Sequence, residues 1–189
     1  METHIREKQE QFLDLIEPHK AGLVRFCRAL SNDRDTAKDL ASETILITYE
    51  HFETLQNKAA IKGYLYTIAS RLARTERKLK KRNTSQEEAF SVEYTGASPD
   101  VLADIHLLQE ALEKLPEKIC EAIIMFEISG LSLREIKEIQ GGSLSGVKMR
   151  IARGKRKLAE LLGVEDDPIK NERSEVRQEF NSIVRSTVL

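Results

Sequence analysis

With 189 residues, 40% of them hydrophobic and 32% charged, the chain is long enough for one or two compact domains and too apolar to be disordered throughout. Its longest apolar runs, such as Ala122 to Phe126, fall far short of the roughly 20 residues that a bilayer crossing needs, and the segment from Met1 to Glu10 is charged, so no membrane insertion is expected and the expected compartment is the cytoplasm. The formal net charge of −1 conceals a strong sorting of charge along the chain.

Taken in chain order, the first apolar stripe is Leu23, Phe26, Cys27 and Leu30, which predicts a helix after Pro18. A second stripe, through Leu40 and Ile47, follows the cap cluster Ser31-Asn32-Asp33. After Asn57 the residues Ile61, Tyr64, Leu65, Ile68 and Leu72 step by three and four, predicting a third amphipathic helix. Its end is basic: Arg71 to Arg82 holds seven bases against the single acid Glu76. These elements make a three-to-four-helix bundle over residues 5–82. Residues 83–98 carry Glu87, Glu88 and Glu93 with no base and little periodicity, which reads as an acidic flexible linker.

Ser98-Pro99 caps a new helix with the stripe Leu102, Ile105, Leu108, Leu112 and Leu115, stopped at Pro116, and a short apolar helix then runs through Ile123, Ile124 and Phe126 to Gly130. Ser132-Leu133-Arg134-Glu135 is a capping box that opens a helix from Leu133 to Gln140. Gly141-Gly142-Ser143 breaks it and a second helix begins, the arrangement of a helix-turn-helix. That second helix presents Ser145, Lys148, Met149 and Arg150 early and Arg153, Lys155, Arg156 and Lys157 later, so Lys148 to Lys157 holds six bases and no acid. The expected fold is therefore all-α, two small helical domains: the N-terminal bundle, and a C-terminal four-helix domain with a helix-turn-helix over residues 99–163. Residues 164–189 form a tail without an assigned role.

Two basic helix ends separated by an acidic spacer suit two modules that each meet an anionic polymer. The sequence offers no Gly-rich phosphate loop, nucleophile elbow or clustered acid-base pair, and so no enzyme is expected. Cys27 and Cys120 stand alone and His4, His19, His51 and His106 are scattered, so neither a metal nor another cofactor is expected.

The ordered set Leu115-Pro116-Glu117, Gly130-x-Ser132-x-x-Glu135-Ile136, Val147-Lys148-x-Arg150 and Arg153-Gly154-Lys155-Arg156-x-Leu158 resembles the C-terminal DNA-binding domain of extracytoplasmic-function sigma factors of bacterial RNA polymerase. Ala37-Lys38-Asp39-Leu40-Ala41-Ser42-Glu43-Thr44 is similar to the polymerase-binding signature of that family, and Gly63-Tyr64-Leu65-Tyr66-Thr67-Ile68-Ala69 to its promoter-melting helix. The chain departs from the family pattern at Ser42, Ile45, Tyr64, Arg71 and Thr75, and at Lys137, whose stem is expected along the crossing of the two helices. The resemblance implies a sigma factor that binds core RNA polymerase through Asp39, Leu40 and Glu43. It implies contact with promoter DNA through Arg71, Arg74, Arg77 and Lys78, with Tyr64 and Tyr66 as candidate platforms for unstacked bases. It implies sequence-specific contact through Ser145, Lys148, Met149, Arg150 and Arg153, with Lys155 and Arg156 beside them, and an anti-sigma factor as a further partner. Two other classes fit part of the sequence: a helix-turn-helix regulator that is not a polymerase subunit explains the C-terminal half, and an RNA-binding or adaptor protein the basic runs.

Overall fold

Seven α-helices make up nearly all of the residues that the computed structural model describes, which are 2–31, 33–83 and 99–163. The chain divides into two units, residues 1–91 and 92–189. Asn32, residues 84–98 of the predicted linker and the tail over 164–189 lie outside the described residues.

The first unit is built from α1 (Glu2–Leu30), α2 (Arg34–Glu50) and α3 (Ile61–Asn83), each packed on the other two. Contrary to expectation, α1 does not start after Pro18 but runs through it. Proline removes the amide that would bond to the carbonyl of Asp14. Both residues are exposed, so water can take that carbonyl while Phe12, Ile16, Leu23 and Phe26 hold the helix onto the core. Asp33 caps α2, its carboxylate accepting from the Thr36 amide at 2.7 Å.

The buried stripe of α2 is small and partly polar: Ala37, Leu40, Ala41, Thr44 and Thr48. Both threonines satisfy their hydroxyls within the helix, Thr44 Oγ1 donating to the Leu40 carbonyl and Thr48 Oγ1 to the Thr44 carbonyl, each at 2.7 Å. Two 3₁₀ turns, Phe52–Thr54 and Lys58–Ala60, lead into α3. Phe52 is buried edge-on to Phe12 with ring centroids 5.3 Å apart, and Phe26 meets Tyr66 in the same manner at 5.0 Å. Such rings each stabilise the core by about 1.5–3 kcal/mol through burial alone. Cys27 lies in this core, and burial pushes its thiol up to about 12.

The second unit comprises α4 (Pro99–Glu113), α5 (Glu117–Ile123), α6 (Leu133–Gln140) and α7 (Leu144–Leu161). Pro99 is the first helical residue of α4, where a missing amide costs nothing. Helix α5 widens into a π turn over Ile124–Ile128, closed by the Ser129 amide on the Ile124 carbonyl at 3.0 Å. Cys120, Ala122, Ile123, Ile124 and Met125 are all buried, which makes this segment the centre of the unit. Against it lies α7, with Val147, Ile151, Gly154 and Leu158 inward.

Gly154 is where the two helices approach most closely. A Cβ there would stand 2.4 Å from Ile123 Cδ1 and 2.5 Å from Ile119 Cγ2. Lys137, expected to lay its stem along the crossing of α6 with α7, is exposed.

Candidate nucleic-acid and partner interfaces

Helix α2 turns its small residues inward, which leaves an outer face with the acids Asp35, Asp39, Glu43 and Glu50 and the bases Arg34 and Lys38. Asp39 and Glu43, four residues apart, are both exposed on it. Leu40, nominated with them, is only 3% exposed and belongs to the core, because it shares the inward line of Ala37, Ala41 and Thr44. Its place on the surface is taken by Leu46, which is 56% exposed three residues beyond Glu43. The sequence reading missed this residue. The adjacent pair Ile45-Leu46 was its signal, since neighbours in a helix point about 100° apart and cannot share one inward line.

The basic end of α3 is divided between packing and exposure. Arg71 and Lys78 are exposed, and Arg74 is half-buried. Arg77 is turned back: its Nη2 donates to the Leu30 carbonyl at 2.9 Å, closing the C-terminal end of α1, where the last carbonyls lack helical partners. That contact gives Arg77, placed by the sequence among the candidate DNA contacts, a second task inside the unit. The two tyrosines also differ from expectation. Tyr66 is buried against Phe26 and cannot serve as a platform, whereas Tyr64, placed on the apolar stripe by its spacing, is only half-buried.

In the second unit the capping box is formed. The Glu135 amide donates to Ser132 Oγ at 3.3 Å, and the Ser132 amide donates to Glu135 Oε2 at 2.7 Å. Gly141 and Gly142 take φ of 72° and 94°, the left-handed region that the turn requires. Ser143 then caps α7, its Oγ accepting from the Gly146 amide at 3.0 Å and lying 3.0 Å from Ser145 Oγ. Ser145, Lys148, Met149, Arg153 and Arg156 are exposed, as is Ala152, which the sequence reading did not single out.

Two other nominated cations, half-buried Arg150 and exposed Lys155, contact acceptors of their own unit. Arg150 Nη1 donates to Gln140 Oε1 at 2.5 Å, and Gln140 Nε2 donates to the Lys118 carbonyl at 3.1 Å and to Glu121 Oε2 at 3.3 Å. Glu121 is 1% exposed, so this chain runs from a buried carboxylate on α5 through the end of α6 to α7. Lys155 forms an ion pair with Glu127, whose carboxylate is largely buried, and its amine lies 5.8 Å from the centre of the Phe126 ring. Arg150 and Lys155, both candidate DNA contacts, each also have an acceptor within the unit. The helix-turn-helix thus offers one cationic outer face held by an inner polar chain.

Two family models match the chain: Sigma-70 region 2 over residues 15–83 and Sigma-70, region 4 over residues 105–158. RNA polymerase sigma factor SigV of Bacillus subtilis is 31% identical over 153 residues, which cover 80% of this chain and 90% of the relative. ECF RNA polymerase sigma factor EcfG of Rhodopseudomonas palustris is 28% identical over 145 residues, 76% of this chain and 80% of the relative. Among solved structures, the sigma factor RpoE of Bartonella quintana in complex with the anti-sigma factor NepR shares the fold with a TM-score of 0.61 at 24% identity, over 85% of this chain and 99% of that one. CnrH in complex with the cytosolic domain of CnrY has a TM-score of 0.63 at 20% identity, over 83% of this chain and 90% of that one.

Proposed function

The chain belongs to the extracytoplasmic-function family of RNA polymerase sigma factors, and from that premise we propose a division of work between its two units. The protein binds core RNA polymerase and directs promoter-specific transcription initiation. The observation that carries this reading is the ordered pair of family matches, region 2 over residues 15–83 and region 4 over residues 105–158. A helix-turn-helix regulator acting apart from the polymerase would use only the second of them.

Asp39, Glu43 and Leu46 on the outer face of α2 form the attachment to core polymerase, two acids beside one exposed apolar side chain. Arg71, Arg74 and Lys78 on α3, with Tyr64, meet the strands as the promoter opens: cations follow the backbone and a ring can stack on an unpaired base. The outer face of α7 enters the major groove of the upstream promoter element, while Arg77, Arg150 and Lys155 hold the scaffold. Like the RpoE of Bartonella quintana, the chain takes an anti-sigma factor as a partner, one that covers these same surfaces. No helix among the described residues is long and apolar enough to cross a membrane, and the protein works in the cytoplasm beside the polymerase, which supplies the catalysis itself.

Run-off transcription with purified core polymerase tests this reading. Transcripts should start at defined promoters only when the chain is added. Glu43→Lys should weaken core binding by roughly tenfold or more, about 1.4 kcal/mol per tenfold, with unchanged helical content. Unaltered affinity for core would remove the α2 face from the interface, and absence of promoter-dependent transcripts would remove the function.

A further inference from the structure

Ser145, Met149, Ala152 and Arg156 fall at intervals of four, three and four, so they share one line of α7, opposite the buried line of Val147, Ile151, Gly154 and Leu158. Lys148 and Arg153 flank that outer line on its two sides, and both are exposed. From Ser145 to Ala152 the middle of the face is therefore small or apolar, while its edges and its far end at Arg156 are cationic. Met149 is 53% exposed. An exposed apolar side chain is ordinary on a protein surface, but this one stands within the first turns of a helix flanked by cations, where a groove-binding helix meets base edges.

Arg150 lies about 100° round the helix from Met149, and its Nη1 donates to Gln140. Lys148, Arg153 and Arg156 suit phosphates by charge and by their flanking or later positions. The one apolar feature that a base pair shows in the major groove is the thymine methyl group, which alanine and longer apolar side chains can contact.

We propose that Met149, with Ala152 beside it, reads a thymine methyl group in the upstream promoter element. The inference rests on the promoter-directing function above. It makes Met149 a specificity residue acting by apolar contact rather than by hydrogen bonding.

The test uses holoenzyme assembled from core polymerase and the full chain, bound to a promoter duplex that the holoenzyme itself has selected from random sequence. Each thymine of the upstream element, on both strands, is replaced in turn by deoxyuridine, which keeps the hydrogen-bonding edge and removes only the methyl group. At one or two adjacent positions the wild-type holoenzyme should lose about fourfold in affinity, equivalent to about 0.8 kcal/mol for one buried methyl group. Met149→Ala should bind thymine and uracil forms alike at that position, and Met149→Leu should restore most of the difference. Equal binding of both forms by wild type at every position would overturn the proposal. So would a difference that survives Met149→Ala, or a selected element built from G·C pairs alone. Failure of the underlying function looks different, because the holoenzyme would then select no sequence over scrambled duplex.

Discussion

Arg150 stands by number among the base-reading residues of a recognition helix, and its guanidinium also bonds within the protein. Its bond to Gln140 at 2.5 Å, with Gln140 in turn on buried Glu121, links three helices through one polar chain. A buried carboxylate is strongly unfavourable unless hydrogen-bonded, and Gln140, which serves Glu121 through its Nε2, would lose the donor to its Oε1 if Arg150 were cut back. We expect Arg150→Ala to reduce stability by about 1–3 kcal/mol, the loss typical of a hydrogen bond to a charged group. It should weaken promoter binding evenly across base-substituted promoters, and thermal melting with competition binding would check both. Loss confined to one base pair would instead place Arg150 on a base edge. Arg77 on the Leu30 carbonyl and Lys155 on Glu127 follow the same rule. A run of bases in the sequence shows where cations are, whereas their acceptors lie on other helices and depend on how those helices cross.

Elements were easier to read than side-chain destinations. Periodicity, the capping box at Ser132 and the glycine pair at Gly141 and Gly142 are local signals, and each produced the helix boundary it implies. Pro18 misled for an equally local reason, since proline disfavours a helix interior but tertiary packing on both sides of it carries α1 through. The buried face of α2 hid because it is made of alanine and threonine, not large apolar residues. Gly154 is the clearest nonlocal case: along the sequence it is one glycine in a basic run, and in the fold it is the contact of α7 with Ile119 and Ile123 of α5. Helix propensity alone would favour alanine there by about 1 kcal/mol. The added methyl group would press on Ile119 Cγ2, which is fixed because a β-branched side chain in a helix has essentially one rotamer. Over-packing of this kind costs about 1–3 kcal/mol. Gly154→Ala should therefore lower the melting temperature of the second unit despite the gain in propensity, and a rise in that temperature would show that α5 and α7 can separate without loss.

At the scale of the whole molecule, two units must serve two promoter elements on one polymerase, and the segment between them sets their reach. The predicted linker over residues 83–98, which apart from Asn83 lies outside the described residues, can extend at most ~53–58 Å at ~3.3–3.6 Å per residue. One turn of DNA is roughly 34–36 Å, so both elements are within reach. Removing ten residues leaves about six, or roughly 20–22 Å, which is too short for that span. The shortened variant should lose transcription from a promoter carrying both elements, while each separate element still binds its own target. Reach is a property of length alone, but this linker also carries Glu87, Glu88 and Glu93 and no base. DNA repels such a segment, and a basic channel of the polymerase would attract it. A full-length variant with the three glutamates changed to glutamine keeps the reach and removes the charge. We expect it to lose run-off activity as well, with undiminished promoter binding and a weaker dependence on salt than the wild type. Full activity in the glutamine variant would reduce the linker to a tether, and full activity in the shortened one would end the two-element geometry itself.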